Sequence, residues 1–463
     1  MKKQLLASTA LVAAALLTAA DMAYAQQKAG PAVQLGVGGY MRQEFGVVLD
    51  RRDANFLGRN DVTAPGATGN GPAGNGTDTA TSFDQQTDAE IHFLGLGKLD
   101  NGIEVGARVE LEVAGSPGNM IDEQYLFVRG SFGQIELGST DSAAIKATLG
   151  YMGSWATQVG DNSAFGPGDW INSPSCGITA GAGGVGVAGG NCGGQDGTLR
   201  NMQLRMFDDD SNKVSYFTPR FAGFQMGVSY TPEFSQNNFA GTGGSPAPSA
   251  SVAGATGAVI GNGTELGVPS KRNYHEAWSL GANLDRKFDQ FGVGIAAGYV
   301  RAKSPGVQSA NTATLWKNTD DAQTWGIGGS LEFGPFKVSA GYRENIDVRD
   351  GYNSQAGYSS GGGAVTSLDG ALYDVGARYT FGPNAVSVSY RSGYIEGTRA
   401  DPAEPEEQAF MVSFRRTLAP GVNWDANVFY LKGETEPALA ALTGNSPTEV
   451  SGWAITTAIQ LNF

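Results

Sequence analysis

The alternation of side chains in the last thirteen residues constrains the fold more than any other feature of this chain. From Trp453 to Phe463 the odd positions are mostly apolar or aromatic, while the even positions are small or polar. A period of two is that of a β-strand, whose side chains point alternately to its two faces. About 9–11 residues with an aromatic at each end suit a tilted strand across a bilayer, whereas strands of soluble proteins usually have about 5–6 residues. The segment therefore predicts the terminal strand of an outer-membrane β-barrel.

The N-terminal segment predicts export across the inner membrane. Lysines at positions 2 and 3 precede an apolar stretch at residues 5–17, and residues 23–25 read Ala-Tyr-Ala, the small-x-small pattern of a signal-peptide cleavage site. The apolar stretch is shorter than the ~18 residues that a membrane-spanning helix needs. We therefore expect residues 1–25 to be a signal peptide and residues 26–463 to form the outer-membrane β-barrel pore, with a retained N-terminal anchor as the alternative.

The composition fits a barrel with a water-filled interior and argues against a helical membrane protein and a nucleic-acid-binding protein. Glycine accounts for 69 of 463 residues, about twice its typical share, and charged residues for 16 %, well below the usual level of about 25 %. A mean hydropathy of −0.21 excludes a helical membrane protein. The net charge of −14 argues against a partner nucleic acid, because phosphates need a basic surface.

Two kinds of connection separate the alternating segments, and they alternate strictly along the chain. Seven are short and built from turn residues, and eight are longer and rich in Gly, Asn, Asp, Ser and Pro. The short turns are expected at residues 100–102, 131–133, 219–223, 288–292, 334–335, 382–384 and 419–421. Fifteen connections join sixteen strands, and an even strand count with short turns at one end is typical of bacterial outer-membrane barrels. The predicted fold class is all-β, a transmembrane antiparallel β-barrel of 16 strands with long external loops.

The two faces of a strand predict which side meets lipid. Ile327 belongs to an apolar face, whereas Gly328 and Gly376 belong to small or polar faces. A charge at mid-depth on the lipid side would cost about 2–4 kcal/mol, so the apolar faces are assigned to lipid and the polar faces to the lumen. Residues 85–97 and 122–132 alternate poorly, which indicates either a contact between subunits or an error in the predicted register.

Three segments resemble the general porins of the Gram-negative outer membrane, of the kind common in alphaproteobacteria. Residues 212–224 read NKVSYFTPRFAGF, similar to the family's strand–turn–strand pattern, and are followed by a distal tyrosine, Tyr230. Residues 132–138 read FGQIELG, similar to the strand that precedes the family's pore-constricting third loop. Phe463 resembles the C-terminal assembly signal of such proteins. With the loop pattern, the likeness extends over the whole mature chain.

The resemblance implies an inward-folded third loop whose acids face basic residues on the opposite wall, so that the bore sorts solutes by size and charge. The candidate loop acids are Asp141, Asp161 and Asp169. The candidate lumen bases, chosen by their alternation phase, are Arg42, Arg108, Lys337, Arg343, Arg378, Arg391 and Arg415. For each position a solvated place at the rim is the alternative. The sequence departs from the family at Ser139, where an arginine is common, and lacks a Pro-Glu-Phe-Gly string in this loop.

The two cysteines, Cys176 and Cys192, bracket most of a Gly-rich run at residues 181–194. Because the periplasm is oxidising, we expect a disulfide between them that closes this part of the third loop. The pair lacks the four ligands of a structural zinc site, and the two histidines, His92 and His275, are far away in sequence.

Neither catalysis nor a cofactor is predicted. A barrel lipase or protease needs a nucleophile with a histidine or acidic partners, and His92 and His275 are interpreted as rim or wall residues. The acidic run at residues 208–210 suits a solvated loop end, the favoured interpretation, or calcium bound by external loops. No other metal is expected.

The sequence thus predicts a porin that forms a passive, water-filled diffusion channel for small hydrophilic solutes and ions. The resemblance implies a homotrimer in outer-membrane lipid and lipopolysaccharide, inserted by the barrel-assembly machinery. The alternatives are a channel selective for a sugar or an organic acid, and a barrel that serves as an adhesin or envelope-structural protein. Acids in the long loops, such as Asp401 and Glu404, favour a weak preference for cations.

Overall fold

The structure is a computed structural model that describes residues 33–53, 83–113, 121–160, 170, 202, 204, 211–233, 275–303, 321–350, 366–367, 369–396, 406–434 and 449–463. Within these ranges nearly all regular structure is β, as the alternating patterns predict.

Sixteen of the described strands close one barrel, and each pairs antiparallel with its neighbours. They are β1 (Gln34–Asp53), β2 (Phe83–Lys98), β3 (Glu104–Glu112), β4 (Ile121–Gly130), β5 (Gly133–Ser139), β6 (Asn212–Phe217), β7 (Phe224–Glu233), β8 (His275–Lys287), β9 (Phe291–Lys303), β10 (Ala322–Phe333), β11 (Phe336–Ile346), β14 (Gly370–Phe381), β15 (Asn384–Ile395), β16 (Glu406–Ala419), β17 (Val422–Glu434) and β18 (Glu449–Asn462). Between β11 and β14, strands β12 (Arg349–Asp350) and β13 (Thr366–Ser367) pair with each other as a separate ribbon. The predicted 16-stranded antiparallel barrel is confirmed.

The barrel is closed by the pairing of β1 with β18, in which Arg42 faces Gln460. Beyond the last strand, Phe463 exchanges two backbone hydrogen bonds with Gly39, of 2.9 and 3.1 Å. Closure pairs the backbone groups that an open sheet edge would leave to lipid, where nothing could satisfy them.

The seven short turns join β2–β3, β4–β5 and every second pair of barrel strands after them, which places all seven at one end of the barrel. Gly334 and Gly382 open two of these turns with φ of 54° and 56°, and a proline follows each. Hairpin turns of the primed types need positive φ at this position, which glycine adopts without strain. The predicted turn positions are confirmed.

Strand β10 shows the two faces of the barrel wall. Ile327 and Leu331 are 50 % and 56 % exposed on the outer surface, whereas Thr324 and Ser330 are covered on the inner side. On the outer surface, aromatic pairs lie near both ends of the strands. Rings such as Tyr430 and Trp453, 4.8 Å apart, form the girdles expected at the two membrane–water interfaces.

Strand β4 breaks simple alternation because its inner face carries aromatic rings. Phe127 points inward and lies over Gly106 of β3, where a Cβ would collide with the ring. The pairing of β3 with β4 also shifts register between Val109 and Leu111, which marks a β-bulge. The irregular pattern at residues 122–132 therefore comes from a lumen-facing aromatic cluster and a bulge.

The third loop, which joins β5 to β6, contains helix α1 (Ala143–Thr148) and a 3₁₀ turn (Gly153–Ala156). Five of the six α1 residues are buried, the exception being Lys146. None of the described helices has the length and apolar character that crossing a membrane requires.

Candidate functional site

The described part of the third loop lies along the inner wall of the barrel. At its start, the backbone N–H groups of Ala143 and Ala144 each donate a 2.8 Å hydrogen bond, to Ser229 Oγ on β7 and to Ser279 Oγ on β8 respectively. Asn283 Nδ2 on β8 donates to Ala147 O at 2.9 Å. The first N–H groups of a helix have no partner within it, so serines of the wall satisfy them here.

Farther along, the loop is held by β11 and β14. Ser154 donates to the carboxylate of Asp374 from its backbone N–H at 3.0 Å and from its hydroxyl at 2.6 Å. Ser339 Oγ donates to Gly153 O at 2.6 Å. Asp374 is 2 % exposed, so removing its carboxylate would leave buried donors without a partner.

Inward-facing glycines make room for the loop on this wall. A Cβ on Gly298 would lie 2.5 Å from Leu204 Cδ1, and a Cβ on Gly341 would lie 2.8 Å from the backbone N of Gly153. A Cβ would also lie close to atoms of the third loop at the other members of this set, which consists of Gly227, Gly281, Gly298, Gly326, Gly328, Gly341 and Gly376. Gly328 and Gly376 face the lumen side as predicted, but the third loop covers them.

Trp170 shows how far the loop reaches around the barrel. Its ring lies over Gly46 of β1, and it packs against the buried side chains of Phe429 and Leu431 on β17. The main contacts of α1 and the 3₁₀ turn are with strands from β6 to β14. The described part of the loop therefore follows the wall from β6 onward and reaches β1 and β17 at Trp170.

Two of the predicted lumen bases share one carboxylate. Arg42 Nη1 lies 2.6 Å from Asp425 Oδ2, and Arg415 donates to both Asp425 oxygens at 2.7 and 2.8 Å. Arg42 also contacts Glu44, and Arg415 donates to Gly160 O at 3.2 Å, which ties the third loop to β16. Because the network combines two cations with two carboxylates, it adds little net charge to the lumen.

Four other predicted bases lie on the inner face of β11, β14 and β15. Arg391 pairs with Glu407 at 3.2 Å, and Arg343 is fully buried. Lys337 and Arg378 stand directly opposite each other in the β11–β14 register, so two like charges are neighbours on this wall.

Of the three candidate loop acids, the structure describes Asp141, whose backbone N–H donates to Glu123 Oε1 on β4 at 3.0 Å. The remaining predicted loop residues, Asp161, Asp169, Cys176 and Cys192, lie outside the described residues, and their roles stay predictions.

The acidic side of the described lumen is the wall formed by β2, β3 and β4. These strands carry eight acidic and three basic residues, whereas β11, β14, β15 and β16 carry six basic and four acidic residues. The eight acids are Asp84, Asp88, Glu90, Glu104, Glu110, Glu112, Asp122 and Glu123. Opposite charge on facing walls produces an electric field across the bore. The sequence prediction named single lumen bases, such as Lys337 and Arg378, and included none of these eight acids among the candidate site residues.

A signal for the acidic wall is present in the β2–β3 hairpin. Residues equally distant from Asn101 at the centre of the turn face each other, and they include His92 with Glu110 and Glu90 with Glu112. Even-numbered positions of both strands share the inner face, because side chains alternate with a period of two. The poor apolar alternation of residues 85–97 concealed this arrangement.

His92 lies within the acidic wall, on the wall rather than at the rim, and is 2 % exposed. Its Nε2 is 2.7 Å from Glu90 Oε2 and 3.5 Å from Glu110 Oε2. Tyr40 Oη donates to the other oxygen of Glu90 at 2.8 Å. Arg108, a predicted lumen base, is ion-paired with Glu110, and its Nη2 lies 3.4 Å from His92 Nδ1.

Lys146 links helix α1 to this side of the lumen. Its Nζ lies 2.7 Å from Glu136 Oε2 on β5 and 4.6 Å from the centroid of the Tyr125 ring. Burial alone lowers the pKa of the ammonium, but the nearby Glu136, Tyr125 and Glu123 outweigh it and raise the pKa above its ordinary value. The lysine therefore stays charged at neutral pH and holds the helix to the wall.

Several solved outer-membrane proteins resemble this chain at low sequence identity. The outer membrane channel DcaP of Acinetobacter baumannii gives a TM-score of 0.49 at 13 % identity, covering 96 % of this chain and 100 % of that one. OmpT of Vibrio cholerae in a trimer form gives 0.48 at 11 % identity, covering 93 % and 100 %. A mutant porin of Rh. blastica gives 0.43 at 14 % identity, covering 93 % and 100 %. No curated protein matches the chain.

A sequence profile of the family described as Gram-negative porin matches residues 7–436. The matched range includes every strand from β1 to β17 and the whole third loop, so it covers both walls of the lumen described above. The chain therefore belongs to the Gram-negative porin family and forms a channel in the outer membrane.

Proposed function

We propose that this porin lets small hydrophilic solutes and inorganic ions diffuse passively and prefers cations. Membership of the porin family supports the channel activity. The acidic wall of β2, β3 and β4 carries the cation preference, because its acids outnumber its bases by eight to three. Cations are enriched near such a surface within about one Debye length, roughly 10 Å at 0.1 M salt.

Planar-bilayer recordings of the purified protein test this proposal. A KCl gradient should give a reversal potential of the sign that marks cation preference, and the preference should weaken as salt rises, since the Debye length falls to about 3 Å at 1 M. A clear anion preference at 0.1 M would contradict the charge argument, and a protein without conductance would contradict the diffusion pore itself.

No described feature favours the alternative functions. A sugar path needs aromatic rings stacked along the bore, as sugars slide over ring faces. The inward rings Tyr125 and Phe127 are 6.5 Å apart and tilted by 53°, and Tyr40 meets His92 edge-on. We also infer that the barrel has no catalytic activity, which its family membership supports.

We infer that the protein assembles as a homotrimer through the outer face of β1 and β2. Gln43, Gln85 and Thr87 lie in the outward phase, and Thr87 Oγ1 donates to Gln43 Oε1 at 2.7 Å. Polar groups facing hydrocarbon are costly, so a second copy of the chain is the expected cover. The trimer form of the Vibrio cholerae protein supports three copies.

Site-specific photo-crosslinking tests this interface. A crosslinking amino acid at Gln85 should give dimer and trimer bands, while the same residue at Ile327, on a lipid-facing part of β10, should give none. Native mass spectrometry that finds only monomers would contradict the assembly.

The other sequence predictions remain proposals with direct tests. Edman sequencing should find Gln26 at the mature N-terminus, and unreduced protein should show no alkylatable thiol if Cys176 pairs with Cys192. Deleting Phe463 should lower the yield of protein assembled in lipopolysaccharide-containing membranes by the barrel-assembly machinery, if it acts as the assembly signal. Calcium bound by external loops should appear as a calcium-dependent rise in thermal stability.

A further inference from the structure

The strongest unassigned cluster of ligating side chains is on the inner face of the β2–β3 hairpin. Single donor atoms of Glu90, His92 and Glu110 all lie within 4.8 Å of one another. In detail, His92 Nε2 is 2.7 Å from Glu90 Oε2 and 3.5 Å from Glu110 Oε2. A tetrahedral ion with bonds of about 2.0–2.1 Å holds its ligand atoms roughly 3.3 Å apart. The two distances from His92 Nε2 lie within a fraction of an ångström of this spacing. The donor atoms of the two carboxylates lie within 4.8 Å of each other.

Neighbouring side chains orient the carboxylates of Glu90 and Glu110 towards His92. Tyr40 Oη donates to Glu90 Oε1 at 2.8 Å, which leaves Glu90 Oε2 turned towards His92. Arg108 is paired with Glu110 Oε1, which leaves Glu110 Oε2 turned towards the same ring. Metal sites in proteins are fixed by such second partners on their ligands, which set the direction of each ligating atom.

Burial and backbone rigidity add to the orientation. His92 and Glu110 are each 2 % exposed, and they face each other in the β2–β3 register. Ligands on paired strands keep their spacing better than ligands on loops. Beyond the site, Glu112 and Asp122 lie close to Glu90 and add negative charge that attracts a cation.

We propose that Glu90, His92 and Glu110 form a luminal binding site for a borderline divalent transition-metal cation, with Zn²⁺ as the representative ion. One imidazole and two carboxylates suit Zn²⁺ and its neighbours, whereas Ca²⁺ and Mg²⁺ take oxygen ligands. Water from the bore completes the coordination. Without the ion, Arg108 Nη2 donates to His92 Nδ1, so the neutral ring carries its proton on Nε2. When the ion binds Nε2, this proton moves to Nδ1 and Arg108 turns fully onto Glu110.

Zn²⁺ titration of the untagged, detergent-solubilised full-length porin tests the site. Calorimetry should find one saturable Zn²⁺ site per chain, and His92→Gln should weaken binding at least about 100-fold. Glu110→Gln should weaken it by about 10-fold or more. His275→Gln removes the other histidine of the chain and is the matched control, for which the affinity should not change. Circular dichroism and heat-dependent gel mobility establish that each variant is folded.

Equal Zn²⁺ affinity in the parent and in His92→Gln would overturn the proposal, as would the absence of saturable binding to the parent. Displacement of Zn²⁺ by an equal concentration of Ca²⁺ would overturn the assignment to a borderline metal. The same variants in bilayers give an independent readout, because Zn²⁺ held in the bore should reduce single-channel K⁺ current in the parent and in His275→Gln but not in His92→Gln. Binding without any conductance would leave the metal site standing and refute the diffusion pore, so the two proposals fail separately.

Discussion

Side chains alternate between lipid and lumen on both sides of the barrel, but the residues that point into the lumen differ: they are charged on one side and small on the other. On β2, β3 and β4 the inward positions carry long charged side chains such as Glu90, Arg108 and Glu110. From β7 to β14 many inward positions are glycine or serine, and the third loop lies on them with hydrogen bonds from residues such as Ser229 and Ser339. The first wall is lined by ion-paired charges, and the second is covered by the described part of the third loop.

This difference explains where the described part of the third loop packs. A chain segment can pack on a sheet only where side chains leave space and where its backbone groups find partners, and glycine with serine supplies both. Buried charges cost several kcal/mol when they are not paired, and where the loop meets the charged wall its groups have partners, as the Asp141 N–H has in Glu123. The small inward residues therefore select the side on which the described part of the third loop packs.

The largest expected effect comes from filling the covered wall. In Gly341→Val, the new Cβ would lie 2.7 Å from Met202 Cε and 2.8 Å from the backbone N of Gly153. Both distances are too short, so the loop must move. Overpacking of this kind lowers the free energy of unfolding by about 1–3 kcal/mol. Because the backbone of Gly153 cannot easily move aside, we expect a loss near the upper end of this range. Urea unfolding in liposomes should show the loss, and single-channel recordings should show a changed conductance.

Gly292→Val is the matched control on β9. Its Cβ would meet Glu332 Cβ at 3.5 Å, an ordinary contact. Equal losses of unfolding free energy for the two valine variants would refute the idea that inward glycines mark the place of the loop.

A smaller effect is expected from the anchor between the loop and β14. Asp374→Ala removes the carboxylate that receives both hydrogen bonds from Ser154, at 3.0 and 2.6 Å. A buried hydrogen bond to a charged group is worth about 1.5–3 kcal/mol, so a loss of roughly 2 kcal/mol and increased current noise from a loosened loop should follow. Asp374→Asn keeps an acceptor oxygen and should recover much of the loss. If alanine left both stability and noise unchanged, this bond would not anchor the loop.

The smallest effect tests the charge difference between the walls. Glu112→Gln together with Asp122→Asn should shift the reversal potential in a KCl gradient towards anions, whereas Arg378→Gln on the other wall should shift it towards cations. Each of these half-buried charges acts on ions through the water of the bore, where it contributes on the order of 1 kcal/mol or less. Salt screens this effect, so the shifts should be larger at 0.1 M than at 1 M. Shifts of the same sign for the two variants would mean that the walls do not act as opposite poles.

The sequence by itself determined the barrel. Alternation at positions such as Ile327 and Leu331, with turn residues between segments, was enough to count sixteen strands and place the seven turns. These signals are local, since a strand that crosses a bilayer must be apolar on its lipid face whatever its neighbours are. The inward phase of the basic residues followed from the same rule, and the structure places Arg42, Lys337 and Arg415 on that face.

Only the tertiary structure decided which residues the inward-facing side chains contact. Alternation shows that Gly328 and Glu110 both point inward, but it does not show that the third loop covers the first and that the second meets His92. Which inward side chains meet depends on strand pairing, on the bulge in β3–β4 and on the path of a loop held by residues more than 200 positions away, such as Asp374 for Ser154. Lipid constrains the outer face of every strand in the same way, whereas the lumen is shaped by contacts between distant parts of the chain.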